Sequence, residues 1–201
     1  DFTASLEGAE LGAVSLQVPG RHNVANALGA MALAMRAGVD FNRAARAAEE
    51  FSGVARRFDT VGEAAGVTVI DEYAHHPTEV RVNISAARQR FAGRRLVACF
   101  QPHTYSRTKY LLDGWRDCFE GLDVLYLLRT YAARETEEAG LDARALAAEI
   151  TTPSPEYVDS FKEAVDRITP QLAEGDVFLT IGAGDVTELA PMVLARLERG
   201  I

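Results

Sequence analysis

Most of this chain is predicted to be an α/β fold, a mostly parallel sheet with helices on both faces. Three observations predict it. From about Ala55 onward, apolar β-type runs alternate with helical patterns, the rhythm of strand–helix–strand crossovers. Three of those runs end in loops crowded with polar and titratable residues, where open α/β sheets bind ligands. A chain of 201 residues with 48% apolar and 25% charged residues can bury a sizeable core.

The first residues read differently. Phe2–Leu6 and Ala13–Val18 alternate like strands around Gly8 and Gly12, which predicts a hairpin. A hairpin cannot stand alone, so this part reads as the tail of a larger domain. Helical patterns follow at Asn23–Ala37, stopped by Gly38, and at Asn42–Phe51, stopped by Ser52-Gly53. The small apolar residues of the first helix predict packing on several sides. A boundary is placed near Val54–Arg56, dividing the chain into residues 1–54 and 55–201.

Beyond it, strands are predicted at Val67–Ile70, Leu96–Phe100, Val124–Leu128, Glu156–Val158 and Val177–Ile181. Helices are predicted at Thr78–Phe91, Arg107–Phe119, Ala143–Ile150, Phe161–Leu172 and Val186–Arg199. In a parallel sheet the loops after Ile70, Phe100 and Ile181 share one edge, so their residues converge.

The first of these loops is Asp71-Glu72-Tyr73-Ala74-His75-His76, before Pro77-Thr78-Glu79. Thr78 is predicted to cap the following helix, with Pro77 fixing its entry. Two imidazoles, a phenol and two acids exceed what a turn requires. Zinc is the rival reading, but no His-x-x-x-His or Cys-x-x-Cys spacing supports it, and no metal ligands are assigned. The second loop, Gln101-Pro102-His103-Thr104-Tyr105-Ser106-Arg107, opens a helix whose N–H groups, with Arg107 and Lys109, could hold a carboxylate or phosphate. The third, Gly182-Ala183-Gly184-Asp185, is half a dinucleotide fingerprint; it reads as a tight turn with Asp185 capping the last helix. Asn23 and Asn26 share one helical face and could meet a purine edge, or simply cap. Arg56-Arg57, at the boundary, could hold an anion or lie at the surface.

Net charge −8 argues against nucleic acid as a partner, without excluding small anionic ligands. No apolar run approaches the ~20 residues of a membrane helix, and no secretory signal is visible. Cys99 and Cys118 sit in apolar segments; a disulfide is not expected, and a reducing, cytoplasmic setting fits.

Taken together these segments resemble the Mur ligase family. The matching pieces are Gly20-Arg21-His22-Asn23-x-x-Asn26-Ala27, Arg56-Arg57-Phe58-Asp59, Asp71-x-Tyr73-Ala74-His75-His76-Pro77-Thr78-Glu79, Phe100-Gln101-Pro102-His103-x-Tyr105-Ser106-Arg107-Thr108 and Gly182-Ala183-Gly184-Asp185. They run in family order across nearly the whole chain. The His-His-Pro-Thr-Glu and Gln-Pro-His elements resemble the alanine-adding branch.

The resemblance implies a three-domain enzyme. An N-terminal domain holds a UDP-sugar, a central one is an ATPase, and a C-terminal Rossmann-like one receives the amino acid. Residues 1–54 would be the end of the central ATPase domain and residues 55–201 the C-terminal domain. It implies ATP and Mg2+ as cofactors, and UDP-N-acetylmuramate and L-alanine as the molecules joined through an acyl phosphate. It implies Asn23, Asn26, Arg57 and Glu72 toward ATP. Tyr73, His75, His103 and Arg107 would face L-alanine, with Arg107 on its carboxylate and His75 and Arg107 catalytic. No Gly-x-x-x-x-Gly-Lys-Ser/Thr occurs, and the family's magnesium ligands would lie upstream, so the chain is expected to be inactive alone. Glu72 stands where the family usually has a ribose-contacting Asp. Thr104 stands where many members have Arg, and Tyr131-Ala132-Ala133-Arg134-Glu135 departs from a more usual Ala-Ala-Gly-Glu. The alternative is a non-catalytic Rossmann-type module that binds a nucleotide or amino acid.

Overall fold

Residues 1–137 and 140–200 are described by a computed structural model, and they fall into two units, Asp1–Val54 and Ala55–Ile201. In the first unit, β1 (Phe2–Leu6) and β2 (Ala9–Val14) form an antiparallel hairpin. Glu7 and Gly8 turn it with φ of 51° and 85°, the left-handed pair whose twist matches the strands. The second strand therefore returns at Ala9, earlier than the alternation suggested. Helices α1 (Arg21–Arg36) and α2 (Phe41–Glu50) follow, and Asp40 caps α2 by accepting the Arg43 N–H at 3.0 Å. Ala4, Val14, Met31 and Ala44 form the small core. Only Met31 of α1 is buried, and Leu33 is 74% exposed, so α1 is not packed on several sides here.

The second unit is built on a six-stranded sheet in the order β3-β4-β8-β5-β6-β7. Strands β4 (Val67–Glu72), β5 (Leu96–Phe100), β6 (Val124–Leu128), β7 (Glu156–Val158) and β8 (Val177–Ile181) run parallel. The central strands are apolar nearly throughout because both faces are covered. Leu96, Ala98, Phe100, Leu125 and Leu127 pack on one face with residues of α3 (Pro77–Arg90), α5 (Leu112–Trp115) and α6 (Ala143–Glu149). Val97, Cys99, Tyr126 and Leu128 pack on the other with α7 (Phe161–Ile168) and α8 (Leu189–Glu198). Cys99 and Cys118 are free and lie in the cores of opposite faces.

Three features depart from the sequence reading. Strand β3 (Asp59–Ala64) pairs antiparallel with β4 at the sheet edge. It escaped notice because it is polar and mostly exposed, as edge strands often are. The helix expected over Arg107–Phe119 is broken into α4 (Tyr105–Tyr110) and α5. The helices expected over Phe161–Leu172 and Val186–Arg199 are each part 3-10: Thr169–Gln171, which contains Pro170, follows α7, and Asp185–Glu188 precedes α8. Among the described residues, no helix is long and apolar enough to cross a membrane.

Candidate functional site

The parallel direction of β4, β5, β6 and β8 sends their following loops to one edge of the sheet. At the end of β4 the two acids turn inward. Asp71 accepts hydrogen bonds from Thr180 Oγ1 (2.6 Å), Thr187 Oγ1 (2.7 Å) and Arg56 Nε (3.2 Å). Arg56 also donates to the carbonyls of Gly182 (2.9 Å) and Gly184 (3.2 Å), and its own carbonyl accepts the Tyr73 N–H at 2.7 Å. Arg56 thus ties three segments together and is not free to hold an anion beside Arg57. Arg57 is exposed, with its guanidinium 5.0 Å from the Tyr73 ring centroid.

Glu72 is enclosed at the end of β4. It is 1% exposed, and its two oxygens accept the N–H groups of Phe58 and Ala74, each at 2.8 Å. Burial pushes its carboxyl up to about 7, against the pull of those two hydrogen bonds and of Arg57. All six residues of β4 are buried, so position 72 is still inside the sheet.

Helix α3 starts one step earlier than expected. His76, not Thr78, is its N-cap: His76 Nδ1 accepts the Thr78 N–H at 3.2 Å, and Glu79 reaches back to the His76 N–H at 3.3 Å. This capping box, with Pro77 in the first turn, fixes the direction of the loop. It leaves His75 facing the rim. A carbonyl can only accept, so His75 Nδ1 donates to Tyr73 O at 3.0 Å, and in the neutral ring Nε2 carries the lone pair.

The loop after β5 brings its own imidazole beside it. The His75 and His103 ring centroids are 6.2 Å apart, and Tyr73 meets His75 edge-on at 5.3 Å. Arg107 donates to His103 Nδ1 at 3.2 Å, which puts the proton of neutral His103 on Nε2. Partial burial, then Arg107, then His75 lower the pKa of His103. Tyr73, His75, His103 and Arg107 therefore form one continuous, half-buried group at the rim. Lys109 is exposed. The N–H of Ser106, which the sequence offered to an anion, is taken by Glu135 at 2.9 Å.

The β8 loop supports this rim from below. Gln101 donates to Asp185 Oδ1 at 2.6 Å and accepts the Val186 N–H at 3.0 Å. Asp185 consequently does not cap α8; it lies in the 3-10 turn and binds Gln101. Gly184 is required by space, because a Cβ would lie 2.4 Å from Gln101 Oε1 and 2.7 Å from Tyr131 Cγ.

The sequence reading missed Tyr131 and Glu135 as parts of this group. Tyr131 stacks on His103 with centroids 5.4 Å apart. The signal was the departure of Tyr131–Glu135 from the family pattern, which pointed to a loop near the site but gave neither residue a role; no spacing rule links it to His103. A cavity of about 440 Å³ adjoins the rim, lined among others by Tyr131, Tyr105, Arg129, Tyr157 and Asp159. Asn23 and Asn26 belong to the first unit, where Asn23 donates to Pro19 O at 2.7 Å and Asn26 is exposed. Among the described residues, no group of three or more His, Cys, Asp or Glu could hold a metal ion.

Residues 56–184 match the family described as "Mur ligase, glutamate ligase domain". The chain belongs to the Mur ligase family. Among relatives of this Mur ligase chain is the UDP-N-acetylmuramate–L-alanine ligase of Roseiflexus castenholzii, 46% identical over 92% of the chain and 39% of the relative. That of Agathobacter rectalis is 41% identical over 97% of the chain and 43% of the relative. The chain thus spans less than half the length of these curated relatives. The crystal structure of UDP-N-acetylmuramate–alanine ligase MurC from Thermotoga maritima superposes with a TM-score of 0.81 at 27% identity, covering 96% of this chain and 42% of that one. A murein peptide ligase from Psychrobacter arcticus gives 0.69 at 26% identity, over 94% of this chain and 39% of that one.

Proposed function

We propose that this chain is the amino-acid-receiving portion of an ATP-dependent ligase that joins L-alanine to the carboxylate of UDP-N-acetylmuramate in peptidoglycan precursor synthesis. The observation that carries the reading is the meeting of His75, His103 and Arg107 at one sheet edge, in a chain whose relatives are named as alanine-adding ligases.

The chemistry follows from the weakness of a carboxylate as an electrophile. ATP converts it to an acyl phosphate, releasing ADP. The amine of L-alanine attacks the acyl carbon, and the tetrahedral adduct collapses to an amide and inorganic phosphate, with one proton leaving the amine. The work of this chain is positioning and proton handling. Arg107 pairs with the L-alanine carboxylate, and Tyr73 and His103 wall the site. The two imidazoles have distinct roles. The lone pair at His75 Nε2 can take the amine proton, whereas His103 presents an N–H and can only donate in the same neutral state. Asn23, Asn26 and Arg57 serve ATP. Residues 1–54 are the end of the central ATPase domain and residues 55–201 the C-terminal domain. Mg2+ would be held mainly by residues upstream of this chain; among the described residues no group of three or more His, Cys, Asp or Glu could hold a metal ion. The enzyme acts in the cytoplasm, and this chain alone is inactive.

Phosphate release tests the reading. A longer protein carrying this chain and its upstream half should release phosphate only when ATP, UDP-N-acetylmuramate and L-alanine are all present, and the 201-residue chain should not. Turnover by the chain alone, or turnover of the longer protein that ignores L-alanine, would contradict it.

A further inference from the structure

Arg107 is the only arginine between Gln101 and Tyr110, yet the helix that carries it has little means of holding itself in place. Helix α4 has six residues, far short of the length at which a helix is stable alone. Its N-cap residue, Thr104, sits at φ 66°, unusual for a β-branched residue, and supplies no side-chain cap. An outside group is needed to satisfy the first turn and fix its direction.

The loop after β6 supplies it. Glu135 Oε2 accepts the Ser106 N–H at 2.9 Å, and Glu135 Oε1 accepts the Ser106 hydroxyl. Those hydrogen bonds hold its carboxyl below the usual range, in keeping with an ionised cap. The same loop grips the preceding residues. The Thr104 N–H donates to Tyr131 O at 2.9 Å, the Tyr131 N–H donates to Pro102 O at 2.9 Å, and the Tyr131 ring stacks on His103. Leu141 N–H donates to Tyr105 O at 3.4 Å. Pro102 through Ser106 are thus fastened, nearly residue by residue, to the segment after β6.

We propose that Glu135 is a positioning residue that caps α4 from the β6 loop and thereby aims Arg107 and His103 at the amino-acid carboxylate. This rests on the reading of the rim given above. Glu135 touches no substrate; it acts through Ser106 and Arg107. Because Gln can accept the Ser106 N–H through its carbonyl and donate to the Ser106 hydroxyl through its amide, the geometry matters more than the charge.

The test is a double-mutant cycle in the longer ligase, with a second readout independent of activity. Glu135→Ala should raise KM for L-alanine about tenfold and leave KM for ATP within about twofold. Glu135→Gln should stay within about threefold of the parent. In an Arg107→Ala background, Glu135→Ala should add less than about threefold, since the residue it serves is gone. Full additivity of the two substitutions, or equal effects on both substrates, would overturn the proposal. In the histidine-labelled 201-residue chain, Glu135→Ala should move the ring-nitrogen resonances of His103 and not those of His22. Unmoved His103 signals would overturn it even if the ligase reading stands. Moved signals without an alanine-dependent activity would instead condemn the ligase reading. Should Glu135→Ala fail to fold, Ser106→Ala removes one of the two contacts and should shift both readouts in the same direction by a smaller amount; no shift would again overturn the proposal.

Discussion

Glu72 shows how much one buried carboxyl can govern. Unfolded, it titrates near the ordinary 4.5; folded, burial raises it to about 7. Between those values the native state keeps a proton that the unfolded state has lost. The contribution of this residue to stability is therefore fully present below about pH 4.5 and is lost as pH rises through about 7, a change on the order of 3 kcal/mol. Glu72→Gln should flatten that part of the stability–pH curve, measured by denaturant unfolding at several pH values. An unchanged curve would show that Glu72 does not titrate in this window. At this scale the sequence was a partial guide. His75, His103 and Arg107 were legible because they stand directly after strand patterns, where the edge of a parallel sheet had to bring them together. Glu72 and Arg56 were not. Nothing in their neighbours reveals that the first would be swallowed by a six-residue buried strand, or that the second would bind Asp71 and two glycine carbonyls.

Among the elements, the sheet was the most legible part, because strands buried on both faces must be almost continuously apolar. The antiparallel β3 was missed because an exposed edge strand carries no such requirement. The break between α4 and α5 was missed because the apolar spacing of Leu111, Leu112, Trp115 and Phe119 is helical on paper. The loop after β8 carries a direct test of how tightly these elements interlock. Gly184 lies against Gln101 and Tyr131 with no space for a methyl group. Gly184→Ala should cost about 1–3 kcal/mol, as overpacking of a closed site does, and should displace Tyr131 from His103. Unfolding free energy checks the first, and the His103 ring signals the second. A change within about 0.5 kcal/mol, the range of an ordinary surface substitution, would mean the loop has slack the structure does not show.

At the scale of the whole molecule, two units follow one another in the chain, and each carries part of what the family resemblance suggested: Asn23 and Asn26 in the first, Arg57 and the rim in the second. The division of labour is physical. A sheet edge can gather distant loops, and here it gathers Tyr73, His75, His103 and Arg107. What lay beyond the sequence was the scaffolding of that edge, because Glu135, Gln101 and Asp185 act through tertiary contacts that no local pattern encodes. The decisive measurement is the steady-state kinetics of Arg107→Ala in the longer ligase. KM for L-alanine should rise by one to two orders of magnitude, as the loss of about 1.5–3 kcal/mol from a charge-assisted hydrogen bond implies, while KM for ATP changes little. Equal changes for both substrates, or none for L-alanine, would contradict a carboxylate site at this rim.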